Sequence, residues 1–254
     1  MYSCEELVEN IKYLGVKKDD VLLVHSSMKA IGDVEGGADT VIDALMEAVS
    51  EGMLILPAHT WATMNENHNI YDYKTEPACV GIIPNLFLKR KGVLRSLHPT
   101  HSVAAWSKNS TLAEQYVAGE ENQITPCARN GCYGKLYDIN AKILLLGVGL
   151  NKNTYMHGVE EWHGIKERLT NYAIPLDIKM PDGSLKPVQM HKHYKPDNIS
   201  VSEYYVKMET PFSERGALVK GNIGDAHSML MSAVKVADIT TEYLEKERDV
   251  FLYI

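Results

Sequence analysis

The stretch LLVHSSMKAIGDVEGGADTVIDAL, residues 22–45, decides how this chain is read. Val21–Val24 is a continuous apolar run, the pattern of a strand covered on both faces. It runs into His25-Ser26-Ser27. Further on, Gly36-Gly37 precede Val41, Ile42, Leu45, Met46 and Val49 at helical spacing over residues 38–49. Met53–Leu56 is a second buried strand, stopped by Pro57. On the other side, Ser3 and Glu6 have the capping-box spacing, Leu7, Ile11 and Leu14 share one face, and Gly15 ends that helix. The opening segment therefore reads helix–strand–helix–strand, and a parallel pair with a helical crossover is its natural topology.

Residues 58–80 show no clear period. Their aromatics Trp61, Tyr71 and Tyr73 favour an ordered, ligand-facing loop. Short helices are expected over residues 82–90 and 111–118. Lys142–Leu146 is a third buried strand, closed by Gly147-Val148-Gly149. Residues 170–195 alternate polar and apolar around Pro181-Asp182-Gly183, which predicts a β-hairpin. Residues 224–246 carry the longest helical pattern, with Ala226, Leu230, Ala233, Val234, Ala237 and Leu244 on or near one face.

The chain has 254 residues, 45% hydrophobic and 23% charged, ordinary values for a globular protein with room for a sizeable core. Its formal net charge of −7 argues against a nucleic-acid partner, because gripping a phosphate backbone needs a basic face. Cys4, Cys79, Cys127 and Cys132 form no CxxC pair and are read as reduced thiols. The N-terminal segment is not a signal peptide, and nothing approaches the ~18 apolar residues of a membrane helix. A cytoplasmic protein without a membrane partner is expected.

Four stretches have chemistry in reach. A strand leading through glycines into a helix gathers free N–H groups and a positive dipole end, which suit phosphate or carbonyl oxygens. Ser26 and Ser27 add donors at the strand's carboxyl end, although a tight turn needing φ > 0 explains the glycines equally. In RSLHPTHSVAAW, residues 95–106, His98 and His101 either line a site or cap the strand. In LLLGVGLNKNTYMHGVEEW, residues 144–162, Asn153 or Thr154 can cap a new helix. His157 and Glu160 then share one of its faces, either as base and orienting carboxylate or as a plain surface pair. In MHKHYKPDN, residues 190–198, His191 and His193 point to opposite faces, so at most one of them faces a given site.

These stretches, with LILPAHTW, GIIPNLF and GNIGDAHSML, run in an order that resembles the aminoglycoside 3-N-acetyltransferase family, antibiotic N-acetyltransferases unrelated to the GNAT fold. The resemblance covers about residues 20–235. It implies an α/β fold, a central and mostly parallel sheet flanked by helices in an α/β/α sandwich, with a smaller β-containing subregion. All of residues 1–254 would form one domain, and residues about 165–200 its hairpin elaboration. It implies acetyl-CoA as co-substrate, held by Ser26, Ser27, Gly36 and Gly37 and more weakly by His101 and Ser102. It makes His157 the general base that deprotonates the acceptor amine, with Glu160 orienting it, His193 facing the acceptor, and direct attack on the thioester. A homodimer is the expected assembly.

One departure concerns the acceptor. Aminoglycoside-binding members tend to carry acids near the hairpin, whereas this chain has His191-Lys192-His193-Tyr194-Lys195. Glu66, Asp72 and Glu76 in the loop, or Glu161, would have to compensate as acceptor contacts. Otherwise the acceptor is a neutral or anionic amino sugar or nucleotide. Two rival readings are a metal hydrolase built on His25, His59, His98 and His101, and a non-catalytic coenzyme A-binding protein. The first lacks a compact ligand motif, and the second leaves the His157/Glu160 pair without a purpose.

Overall fold

The computed structural model describes residues 1–165, 168–194 and 200–246. Its centre is three parallel strands: β1 (Val21–Ser26), β2 (Met53–Pro57) and β6 (Lys142–Leu146), with β1 between the other two. Beyond β2 lie β5 (Val103–Trp106) and β4 (Leu94–Arg95), and beyond β6 lie β10 (Ala226–Ser232) and β9 (Leu218–Ile223). All four outer strands pair antiparallel, so the expected parallel character is confined to the middle of a seven-stranded mixed sheet.

Strand side chains alternate between two apolar layers, as a period of two requires. Leu22, Val24, Leu54, Leu56, Leu144 and Leu146 pack with α1 (Cys4–Tyr13), α2 (Ala38–Ala48) and α3 (Ile82–Phe87). Leu23, Ile55, Ile143 and Leu145 pack with α4 (Ser110–Val117), α5 (Cys132–Asp138), α6 (Thr154–Trp162), α7 (Glu209–Glu214) and α8 (Ala233–Lys246). This is the expected three-layer α/β arrangement. A third apolar cluster, with Tyr71, Ile174, Leu176, Ile178, Val188 and Met190, belongs to a small separate sheet. That sheet is the expected hairpin, β7 (Ile174–Lys179) and β8 (Leu185–Met190), joined by β3 (Ile70–Tyr71) from the long loop.

The capping box forms as read: the Glu6 amide donates to Ser3 Oγ, and the Ser3 amide donates to Glu6 at 2.8 Å. Ser3→Ala should therefore cost about 0.5–2 kcal/mol in urea unfolding. The single helix expected over 224–246 is corrected. Residues 226–232 are strand β10, and the helix begins at Ala233. Ala226 and Leu230 lie four apart, a spacing that shares a face in a helix and, being even, in a strand too. Ser228 between them is also buried, which is the strand's alternation.

Candidate functional site

The carboxyl ends of β1, β2 and β6 meet the amino end of antiparallel β5, since Pro57 is paired with Val103. Loops leaving these ends bring together residues far apart in sequence, at the usual ligand position of an open α/β sheet. They enclose a cavity of about 850 Å³ whose walls include Ser26, His59, His101, His157, Thr170 and His193. A smaller cavity of about 280 Å³ shares Ser26, Val80 and Pro84 with it and is also bordered by Ser27, Lys29 and Gly81.

Five histidines form a chain of rings through this region. His59 lies 4.6 Å from His101, centroid to centroid, and His98 lies 6.0 Å from His101. His101 is 5.0 Å from His193, and His193 stacks on His157 at 4.2 Å. Burial holds the inner ones neutral. It pushes His25 down to about 3 and His98 down to about 4, and it holds His59 and His101 well below the usual range, with neighbouring histidines adding to the effect on those two. His98 Nδ1 accepts from the amides of Thr100 and His101, so Nε2 carries the proton and donates to the Thr125 carbonyl at 3.0 Å. His98 thereby fastens the HPTH turn to the 120–132 segment. Among the described residues, no group of three or more His, Cys, Asp or Glu side chains is placed to hold a metal ion.

His157 sits on the first turn of α6, which Asn153 precedes without a side-chain cap bond. Glu160 is on the same face, but its carboxylate lies 3.7 Å from His157 Nδ1, too far for a hydrogen bond. The Tyr205 hydroxyl fills the gap. It lies 2.8 Å from His157 Nδ1 and donates a short hydrogen bond to Glu160 Oε2. A phenol has one proton. With that proton on Glu160, the oxygen accepts from His157 Nδ1–H, which leaves Nε2 as the ring's basic atom. Glu160 Oε1 takes Arg168 Nε at 2.5 Å in a pair that is almost wholly buried. Burial pushes the Glu160 carboxyl up, while the Arg168 charge and the Tyr205 hydroxyl oppose that rise. Arg168→Met strips the buried carboxylate of its counter-charge and should destabilise the fold by about 3–5 kcal/mol in denaturant titration.

The remaining sequence candidates divide. Ser26, His101, His157 and His193 border the larger cavity, and Ser27 borders the smaller. Of the alternating pair, His193 faces the cavity while His191 Nδ1 bonds the Thr170 carbonyl. Gly36 and Gly37 border neither cavity; their φ values of +72° and +66° serve the turn into α2. Ser102 is fully buried, donating to the Ala58 carbonyl and accepting from Arg95 Nε. The acidic candidates lie away from the cavity walls. Glu66 is exposed, and Asp72 pairs with Lys179 at 2.8 Å. Glu76 accepts from Thr63 and meets His68. Glu161 is turned inward, accepting from the Thr125 hydroxyl and the Cys127 amide, and burial pushes it up to about 7. Lys195 lies outside the described residues.

Sequence reasoning passed over Tyr205, Arg168 and Lys29. Tyr205 stands in a short 3₁₀ run, Val201–Met208, that carries no catalytic spacing, and Arg168 stands in an ordinary charged run. Lys29 follows the His-Ser-Ser turn directly and was legible as a cation beside a phosphate-suited turn.

The family model described as aminoglycoside 3-N-acetyltransferase matches residues 23–245. A prophage-derived aminoglycoside N(3')-acetyltransferase-like protein of Bacillus subtilis (strain 168) is 27% identical, with 94% of this chain and 91% of that protein covered. The apoenzyme of aminoglycoside acetyltransferase AAC(3)-IVa superposes with a TM-score of 0.82 at 25% identity, covering 100% of this chain and 92% of that one. AAC-IIIb, solved as a binary complex with CoASH, superposes with a TM-score of 0.83 at 23% identity over 96% of this chain and 97% of its own.

Proposed function

Because the chain belongs to the aminoglycoside 3-N-acetyltransferase family, we propose that it transfers the acetyl group of acetyl-CoA to an amine of an amino sugar, the class that includes the aminoglycosides, with His157 as general base. The observation that carries this reading is the line Glu160–Tyr205–His157 ending at the wall of the larger cavity. It holds one tautomer of the imidazole and leaves Nε2 to take a proton. A histidine suits that task at neutral pH.

The smaller cavity supports the coenzyme A assignment. Ser26 and Ser27 offer hydroxyls, Val80, Ile82 and Ile83 an apolar wall, and Lys29 a cation. That set fits an arm with amide, apolar and phosphate parts, and AAC-IIIb, solved with CoASH, supports coenzyme A as the co-substrate. Bound acetyl-CoA supplies the acetyl carbon and a thiolate leaving group. His157 Nε2 takes the proton that the attacking amine loses, Tyr205 holds Nδ1–H, and the Glu160 carboxylate favours the imidazolium that results. His193, stacked on His157, lies beside the acceptor in this reading.

The test is release of free coenzyme A thiol with amine acceptors, in wild type and in Tyr205→Phe. The variant keeps the ring and loses the hydroxyl, leaving His157 Nδ1 and Glu160 without their shared partner. Unpaired buried groups of this kind are worth about 1–3 kcal/mol, so kcat should fall roughly five- to 150-fold. The ascending limb of the pH–rate profile should move as well. A Tyr205→Phe enzyme with wild-type kcat and an unmoved limb would remove the tyrosine from the mechanism.

A further inference from the structure

Resting on the acetyltransferase reading above, we propose that the acceptor amine carries its own anionic group, a phosphate or a carboxylate near the reacting nitrogen, and is not a polycation. The charged residues on the wall of the larger cavity, among those described, are Lys152, Lys192 and Glu203. Two lysines against one glutamate leave the described part of the wall at a formal +1. The histidines do not change this sum in the acid direction, since burial keeps His25, His59 and His101 neutral.

Among the described residues, the acids nearest in sequence to the site and its loop are engaged elsewhere. Glu160 is held by Arg168 and Tyr205, and Glu161 by Thr125 and the Cys127 amide. Asp72 is held by Lys179, and Glu76 by Thr63 and His68. Glu203 itself accepts from Asn151 Nδ2 at 3.1 Å. An acceptor bearing several ammonium groups would find one carboxylate and two like charges here, whereas recognising a polycation takes several converging carboxylates.

Lys192 is the better placed of the two cations. Its backbone is pinned on both sides: its amide donates to Thr170 Oγ1 at 3.1 Å, and its carbonyl accepts from the Thr170 amide at 2.9 Å. It directly precedes His193, which stacks on His157. The Lys192 ammonium lies 3.5 Å from the Met64 carbonyl, and Lys192 and His157 share the cavity wall. In the reading above, the coenzyme A phosphates have a separate cation in Lys29, which borders the smaller cavity.

The experiment is a thiol-release assay with acetyl-CoA and four acceptors. Glucosamine 6-phosphate carries a phosphate, muramic acid a carboxylate, glucosamine no anion, and kanamycin several ammonium groups. One or both anionic amines should exceed glucosamine and kanamycin at least tenfold in kcat/KM, and which of the two leads identifies the anion. Lys192→Gln should raise KM for the preferred anionic amine about tenfold, with a smaller change in kcat and in coenzyme A affinity by calorimetry. A preference for kanamycin, or equal rates for glucosamine and both anionic amines, would overturn the proposal. So would a Lys192→Gln loss that falls on coenzyme A affinity, or coenzyme A binding without transfer to either anionic amine. Absence of coenzyme A binding altogether sinks the acetyltransferase reading itself.

Discussion

In the His157→Ala enzyme, kcat falls by about 10²–10⁴-fold, the usual contribution of a positioned general base. Coenzyme A affinity changes little, because the residues proposed to hold it, Ser26, Ser27 and Lys29, lie on another element. The lost interaction acts on the proton in flight, so kcat and kcat/KM fall together. The pH–rate profile loses its ascending limb. Glu160→Gln is not the mild change that a direct Glu160–His157 bond would make it. The carboxylate reaches the ring only through Tyr205 and also balances Arg168, so the amide disturbs both. His193 is the competing base, since its ring lies 4.2 Å from that of His157. If His157→Ala turns over near the wild-type rate while His193→Ala does not, the two roles are exchanged.

The second large effect is acid unfolding. Four buried histidines, His25, His59, His98 and His101, have folded-state pKa values below the ordinary 6.5. Their unfolded forms take up protons below 6.5, so stability falls with pH from that point. Glu120 and Glu161 work in the opposite direction. Burial raises both to about 7 from an ordinary 4.5, so each stabilises the fold below 4.5 and loses that contribution as pH rises through 7. Glu160 is raised in the same sense. Between 6.5 and 4.5 the acids offset much of the histidine effect, and the stability curve is shallow. Below 4.5 the offset stops growing. His98 begins to charge near 4; each histidine still held neutral there adds about 1.4 kcal/mol per pH unit, so the slope steepens. Such a slope removes a typical domain's stability within a few pH units. Urea midpoints measured from pH 7 to 3.5 should show this break, and a flat curve below 4.5 would show that the histidines are not held neutral.

What could be read from the chain was local. The capping box, the strands at 21, 53 and 142, and the hairpin about Pro181-Asp182-Gly183 are all set by neighbours a few residues apart. The His157/Glu160 face of α6 was legible for the same reason. Strand β10 was not, because its even spacing imitates a helix and its neighbour β6 is far away in sequence. The two-residue strand β4 carries too few residues to show a period, whereas β5 is the strand read after His98 and His101. In the site, Tyr205 was invisible because a hydroxyl bridging a histidine and a glutamate is a fact of packing, not of spacing. The inward turn of Glu161 was not legible either, because its partners, Thr125 and the Cys127 amide, lie more than thirty residues away in sequence. Gly36-Gly37 marked a real turn, but a positive φ does not by itself say what lies in front of it.

The order of strands has a consequence for the newborn chain. β1 meets β2 after one helical crossover, but its other neighbour, β6, lies beyond three further helices and two further strands of the same sheet, and β6 is itself covered only when β10 arrives. A ribosome adding roughly 5–20 residues per second needs about 4–18 s to pass from Pro57 to Leu146. For that interval a finished β1–β2 pair keeps its β1 edge open, apolar over Val21–Val24, the kind of surface that strands of other chains add to. Trigger-factor-like holding of the nascent chain should matter most in that window, and an arrest engineered just before Lys142 should yield more co-aggregate than one placed after Ser232.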